Sequence, residues 1–199
     1  MKRIGKIIAG VVLLSTVATV AYVAGRFDNS SYHTYDHRAS ALVNEQGVTV
    51  DMRDYEGKFL LVYFGYSQCR RDCPHALGLL SHVMETLGTD AGDLRTLFIS
   101  LDTRDTPAQL EGFMRQFHPG IETLTLRDRE SLRNMCGAFD IFMTETSVSG
   151  SESAISGHEP ALFLLDRSGG ILDRFDFPVA PEEVLGAIKD HSQEEGIAI

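Results

Sequence analysis

The sequence has no excess of basic residues: Lys and Arg number 18 against 28 Asp and Glu, a formal net charge of -10 with histidines neutral. A protein that binds nucleic acid through the phosphate backbone needs the opposite balance, so DNA and RNA are excluded as partners. An acidic surface serves solubility and tolerates a cationic metal or a basic partner. No internal repeat, collagen-like period or disordered bias interrupts a composition of 43% hydrophobic and 23% charged residues. A phosphate-binding loop is missing too, since "RSGG" at 167–170 lacks the spacing and the Lys-Ser/Thr of a nucleotide cradle. No compact carboxylate pair flanks an evident cleft, which leaves glycosidase-like hydrolysis unsupported. Cysteine is scarce, and the three present cannot all pair within one chain.

What is there begins with an N-terminal segment different in kind from the rest. Lys2, Arg3 and Lys6 precede an apolar run from Ile7 to Gly25, and no acidic residue occurs before Asp28. The run has about the length that crosses a bilayer, and its basic flank predicts a cytoplasmic N-terminus. It exceeds a usual signal-peptide core, although Ala18, Ala21 and Ala24 leave room for cleavage. Anchor or signal, it delivers the remainder outside the cytoplasm, which in a bacterium is the periplasmic face of the inner membrane. The expected organisation is a cytoplasmic flank at 1–6, an anchor at 7–25, a polar linker at 26–47, one domain at 48–192 and a tail at 193–199. His33 and His37 fall in the linker, where stray histidines are ordinary.

The domain's pattern alternates strands and helices. "FLLVYFGY" (59–66) reads as a central strand buried on both faces. Pro74 then opens a helix in which Leu77, Leu80, Val83, Met84 and Leu87 recur at helical spacing, with Gly88 to end it. A strand at 94–102 follows, then a helix through about Phe117, a short strand within "HPGIETLTL" and a short helix at 128–137. Residues 139–157, rich in Ser, Thr and Gly, suit an exposed loop or hairpin. "PALFLLDRSGGILDRFD" reads as a hairpin and 181–191 as a terminal helix with Pro181 in its first turn. This order predicts an α/β, thioredoxin-like fold with a central mixed sheet flanked by helices.

Cys69 and Cys73 therefore sit in the loop and first helical turn after a core strand, a natural place for chemistry in such a sheet. A helix N-terminus stabilises a thiolate. Arg70 and Arg71 add positive charge there, while Asp72 opposes it. The C-x-x-x-C spacing is one residue longer than the usual redox pair, and alone it leaves metal binding, thiol exchange and an inert disulfide open. A soft S,S pair with one imidazole suits Cu(I). His158, between the Ser/Gly-rich segment and a core strand, is the candidate third ligand. His75 and His82 on the first helix, His118 before Pro119, and His191 near the C-terminus are worse placed. Cys136 reads as a buried core cysteine.

Together, "VYFGYSQCRRDCP", "FISLDTRDTPAQLEGFMRQFHP" and "ISGHEPALFLLDRSGGIL", in that order, resemble the Sco/SenC family of membrane-anchored, copper-binding thioredoxin-fold proteins. The resemblance runs from about Val48 to His191. By position it implies that Cys69, Cys73 and His158 bind copper, as Cu(I) or Cu(II), and that Asp102 and Asp105 support the loop or a partner surface. It implies copper delivery to the binuclear copper centre of cytochrome c oxidase, or thiol reduction preparing that centre. The implied partners are the oxidase's copper-bearing subunit, a copper-donor protein and a thiol-disulfide partner. Two alternatives carry the same residues: an extracytoplasmic thiol-disulfide oxidoreductase, with Cys69 and Cys73 catalytic, and a copper or redox sensor that transfers no metal. The chain departs from the family's pattern at Gln68 and at Arg70-Arg71-Asp72, where an acidic residue is displaced by one position.

Overall fold

The apolar run Phe59–Gly65 forms β3, and all seven of its residues are buried. In the computed structural model, which describes residues 41–88, 92–147 and 153–194, this strand is the axis of a seven-stranded sheet. The other strands are β1 (Leu42–Val43), β2 (Thr49–Val50), β4 (Leu94–Ser100), β5 (Ile121–Leu126), β8 (Ala161–Leu165) and β9 (Ile171–Asp176), in the order β2-β1-β5-β4-β3-β8-β9. β3 runs parallel to β4, and β4 to β5, while β8 lies antiparallel to β3 and β9 to β8. The sheet is thus mixed, as its sequence pattern predicts. A separate hairpin, β6 (Met143–Ser147) with β7 (Ser153–His158), stands before β8.

Parallel neighbours need crossovers, and helices supply them. The helix α1 (Asp72–Leu87) buries Cys73, Ala76, Leu77, Leu80 and Val83 along one stripe and stops at Gly88, whose φ of 61° suits a residue without a Cβ. α2 (Pro107–Met114) starts with Thr106 and Gln109 in a reciprocal capping box and Pro107 in its first turn. It ends at Met114, short of Phe117. α3 (Arg129–Ala138) is capped by Asp128, and α4 (Pro181–Glu194) closes the domain against α1. The core is aromatic at its centre: Phe64, Phe139 and Phe163 meet with ring centroids 4.8–5.7 Å apart. Each such side chain is worth about 1.5–3 kcal/mol of burial.

Two further boundaries differ from the sequence reading. The linker expected at 26–47 gives its last residues to the sheet: Leu42 is fully buried and pairs with both Val50 and Leu126. Closing the edge beside β5 needs an apolar side chain there, and Leu42 supplies it. The first helix begins two residues before Pro74, so Cys73 is helical. The anchor expected at 7–25 lies outside the described residues; among those described, no helix is long and apolar enough to cross a membrane.

Candidate metal and thiol site

β3, β4 and β5 point their C-terminal ends to one edge of the sheet, and the loop leaving β3 carries the cysteines. The chain turns at once, Cys69 N–H donating to the Tyr66 carbonyl at 3.1 Å. Arg71 occupies the N-cap position of α1 but makes no capping bond through its side chain. Cys69 caps the helix instead, its Sγ accepting from the Cys73 N–H at 3.2 Å. A sulfur facing free helix amides is favoured as the anion. Its thiol is accordingly pulled down to about 6, first by a hydrogen bond from the Cys73 thiol and then by the amides of Cys73, Asp72 and Arg71, with burial opposing them.

Cys73 is the opposite case. It is fully buried, and its thiol is pushed far up, first by the hydrogen bond it makes to Cys69, then by burial and by the Cys69 charge. The Tyr63 hydroxyl, itself pushed up by burial, donates to Cys73 Sγ at 3.7 Å. Gly65 makes room for this sulfur. A Cβ at 65 would lie 2.9 Å from Cys73 Sγ and 2.6 Å from the Phe98 ring, closer than side chains approach.

His158 arrives from the end of β7, where it pairs with Met143. Its ring lies between Tyr63 and Tyr66, at centroid distances of 6.2 and 6.0 Å. Nδ1 is 3.0 Å from the Glu159 carbonyl. A carbonyl only accepts, so Nδ1 carries the proton and Nε2 presents a lone pair. That lone pair faces Cys73 Sγ at 4.0 Å. Burial lowers the imidazole's pKa and keeps the ring neutral, as a metal ligand must be.

The fold thus brings together the three residues singled out in the sequence. They are not yet a closed ligand set: among the described residues, no three His, Cys, Asp or Glu side chains are arranged to hold a metal ion. The two aspartates expected to support the loop divide their work. Asp105 accepts from Ser67 N–H at 2.8 Å, Ser67 Oγ at 2.5 Å and Ser100 Oγ at 2.6 Å, tying the cysteine loop to the end of β4. Asp102 holds Arg104 instead. His75 and His82 are exposed on α1, His118 receives the Gly120 amide, and His191 pairs with Asp173 at 2.7 Å. Cys136 is buried on α3, 4.0 Å from Met143 Sδ, with its thiol raised to about 11 by burial. Tyr63 and Gly65 carry no sequence signal beyond membership of a buried strand.

Comparison with known proteins points to one family. The SCO1/SenC family model matches residues 33–193. The human mitochondrial SCO1 homolog is 29% identical over 154 residues, covering 76% of this chain and 51% of that protein. Among solved structures, yeast Sco1 superposes with a TM-score of 0.69 at 28% identity, covering 78% of this chain and 96% of that one. Copper-bound ScoI from Bradyrhizobium japonicum gives 0.66 at 27% identity, over 76% of this chain and 96% of that one.

Proposed function

Because the chain belongs to the SCO1/SenC family, we propose that it is a copper-handling assembly factor in which Cys69, Cys73 and His158 receive copper and pass it to a partner protein. The observation that carries this reading is the Nε2 lone pair of His158 facing Cys73 Sγ at 4.0 Å. Bonds of ~2.0 Å from imidazole and ~2.3 Å from thiolate, the lengths these donors make to a d10 ion, span such a gap. Two sulfurs and one imidazole are a soft set that suits Cu(I). Cys69 is the donor that adjusts, by releasing the amides of α1. Cys73 gives up its proton as it ligates, so copper uptake releases a proton.

The Sco family is described as one of cytochrome c oxidase assembly proteins. The receiving partner in this reading is the oxidase subunit that bears the binuclear copper centre, and a copper-donor protein loads the site. The apolar run at 7–25 supports a single-pass tether in the bacterial inner membrane, with the domain in the periplasm. The protein acts as a metallochaperone and turns over no small metabolite.

A second reading is favoured by the contrast between the two thiols. A thiolate at Cys69 attacks a partner's disulfide, and Cys73, buried beside it, resolves the mixed disulfide. Thiol reduction of the oxidase centre is then the activity, with His158 only tuning the pair.

An anaerobic Cu(I) competition titration separates these. One tightly held copper, lost in Cys69→Ala and in Cys73→Ala and weakened in His158→Ala, is the expected result. Equal affinity in all four proteins removes the assigned site, and weak binding by the intact protein leaves thiol exchange as the function.

A further inference from the structure

Two arginines separate the sulfurs. Arg70 and Arg71 are exposed, Arg71 with 88% of its side chain in solvent. Neither serves the fold. Arg71 stands at the N-cap of α1 without capping it, and its contact with half-exposed Asp72, at 3.4 Å, is a surface pair of small worth. Among the described residues Arg70 makes no ion pair. Three other arginines are held in close ion pairs, Arg53–Asp51, Arg129–Glu145 and Arg167–Asp93, each within 2.8 Å. The net charge of -10 repels an acidic surface over most of the molecule. At the turn carrying Cys69, such a surface instead meets two adjacent arginines facing a single carboxylate. A groove of about 240 Å³, lined by Asp72, His75, Pro160, Phe177 and Pro178, adjoins the same helix start and gives a chain segment somewhere to lie.

We infer that Arg70 and Arg71 make this mouth selective for an acidic polypeptide, whose carboxylates dock on the two guanidiniums and bring a partner sulfur to Cys69. The inference rests on the reading of Cys69 and Cys73 as the reactive pair, and it holds whether or not copper is the cargo. Asp72 sets the limit of the effect, since it offsets one of the two charges. The arginines act on encounter and orientation and leave the bond-making to the thiols.

Thiol exchange reads this directly. Cys69 thiolate attacks one sulfur of a peptide disulfide, forming a mixed disulfide as the peptide S–S bond breaks and one peptide thiolate leaves. Cys73 then loses its proton and attacks Cys69 Sγ, which frees the second peptide thiol and leaves the Cys69–Cys73 disulfide. Two electrons pass from the protein dithiol to the peptide disulfide.

The probes are three synthetic cystine-bridged peptides alike except for flanking glutamate, glutamine or lysine, reacted with the reduced full chain at low and high salt. Steering by a local charge pair changes such rates by roughly tenfold or more and fades with ionic strength. The glutamate peptide is expected to react about tenfold faster than the lysine peptide at low salt, and the gap to close at high salt. In Arg70→Glu/Arg71→Glu the order is expected to invert, each rate being taken relative to that of the glutamine peptide on the same protein, which absorbs any change in the Cys69 thiolate itself. Equal rates for all three peptides in the wild type overturn the proposal. So does a variant that slows the glutamine peptide as much as the glutamate one, because the arginines would then be acting on the thiol and not on the partner's charge. A failed copper titration leaves this comparison readable, which keeps the two readings separable.

Discussion

Cys69 and Cys73 stand four residues apart and are driven in opposite directions. Cys69 gathers donors from the start of α1 and from the Cys73 thiol, whereas Cys73 is enclosed between Gly65, Tyr63 and the Cys69 charge. A depressed pKa means that the thiolate is already the stable form at neutral pH, so reactivity is gained as pH rises through the folded-state value. Iodoacetamide labelling of Cys69 is expected to rise with a midpoint near 6, well below the ordinary thiol value of about 8.5. In Cys73→Ala the principal donor is gone, and the midpoint is expected to move up. A wild-type midpoint close to the ordinary value would show that the helix start and Cys73 do not hold the anion. Both sulfurs are legible in the sequence because a strand followed by a helix start is a local pattern. Tyr63 and Gly65 are not, because what they touch is decided by the direction in which a strand residue faces and by how Phe98 packs from β4.

At the scale of elements, β3 is readable from its unbroken apolar run, and the β8–β9 hairpin from its Ser-Gly-Gly turn, where Gly169 adopts a φ of 85°. β1 is not. A two-residue strand in a polar stretch carries no period, and its place follows from an edge of β5 that lies far away in sequence. The tie between the cysteine loop and β4 is of the same kind. The family resemblance implies a supporting role for Asp105, but its three donors come from Ser67 and Ser100, which only the parallel pairing of β3 with β4 brings together. Asp105→Ala strands the buried Ser100 hydroxyl and the Ser67 amide. A loss of about 2–4 kcal/mol is expected, since buried donors left unpaired cost on that order. Urea unfolding followed by circular dichroism measures it, and a change below about 0.5 kcal/mol, the size of an ordinary surface substitution, would remove the clamp from the account.

At the scale of the whole molecule, the sequence distance between the proposed copper donors matters. Cys73 and His158 are 85 residues apart, one on the β3–α1 segment and the other on the hairpin before β8. A metal held by both joins parts of the chain that the unfolded state keeps separate, so binding to the folded form is itself a stabilisation. Free Cu(I) at about 100 times the dissociation constant adds about 2.7 kcal/mol, less whatever the unfolded chain's thiols recover by binding copper themselves. For a chain of this size each kcal/mol moves Tm by about 2–4 °C, so Cu(I) loading is expected to raise Tm by about 5–10 °C, and a Cu(I) chelator to reverse it. His158→Ala keeps the two neighbouring sulfurs but loses the distant donor, so copper should still bind while most of the rise disappears. Calorimetry on reduced protein with and without Cu(I), beside the same pair for His158→Ala, decides it. If the variant gains as much Tm from copper as the wild type, the metal sits on the cysteine loop alone and the hairpin plays no part in holding it.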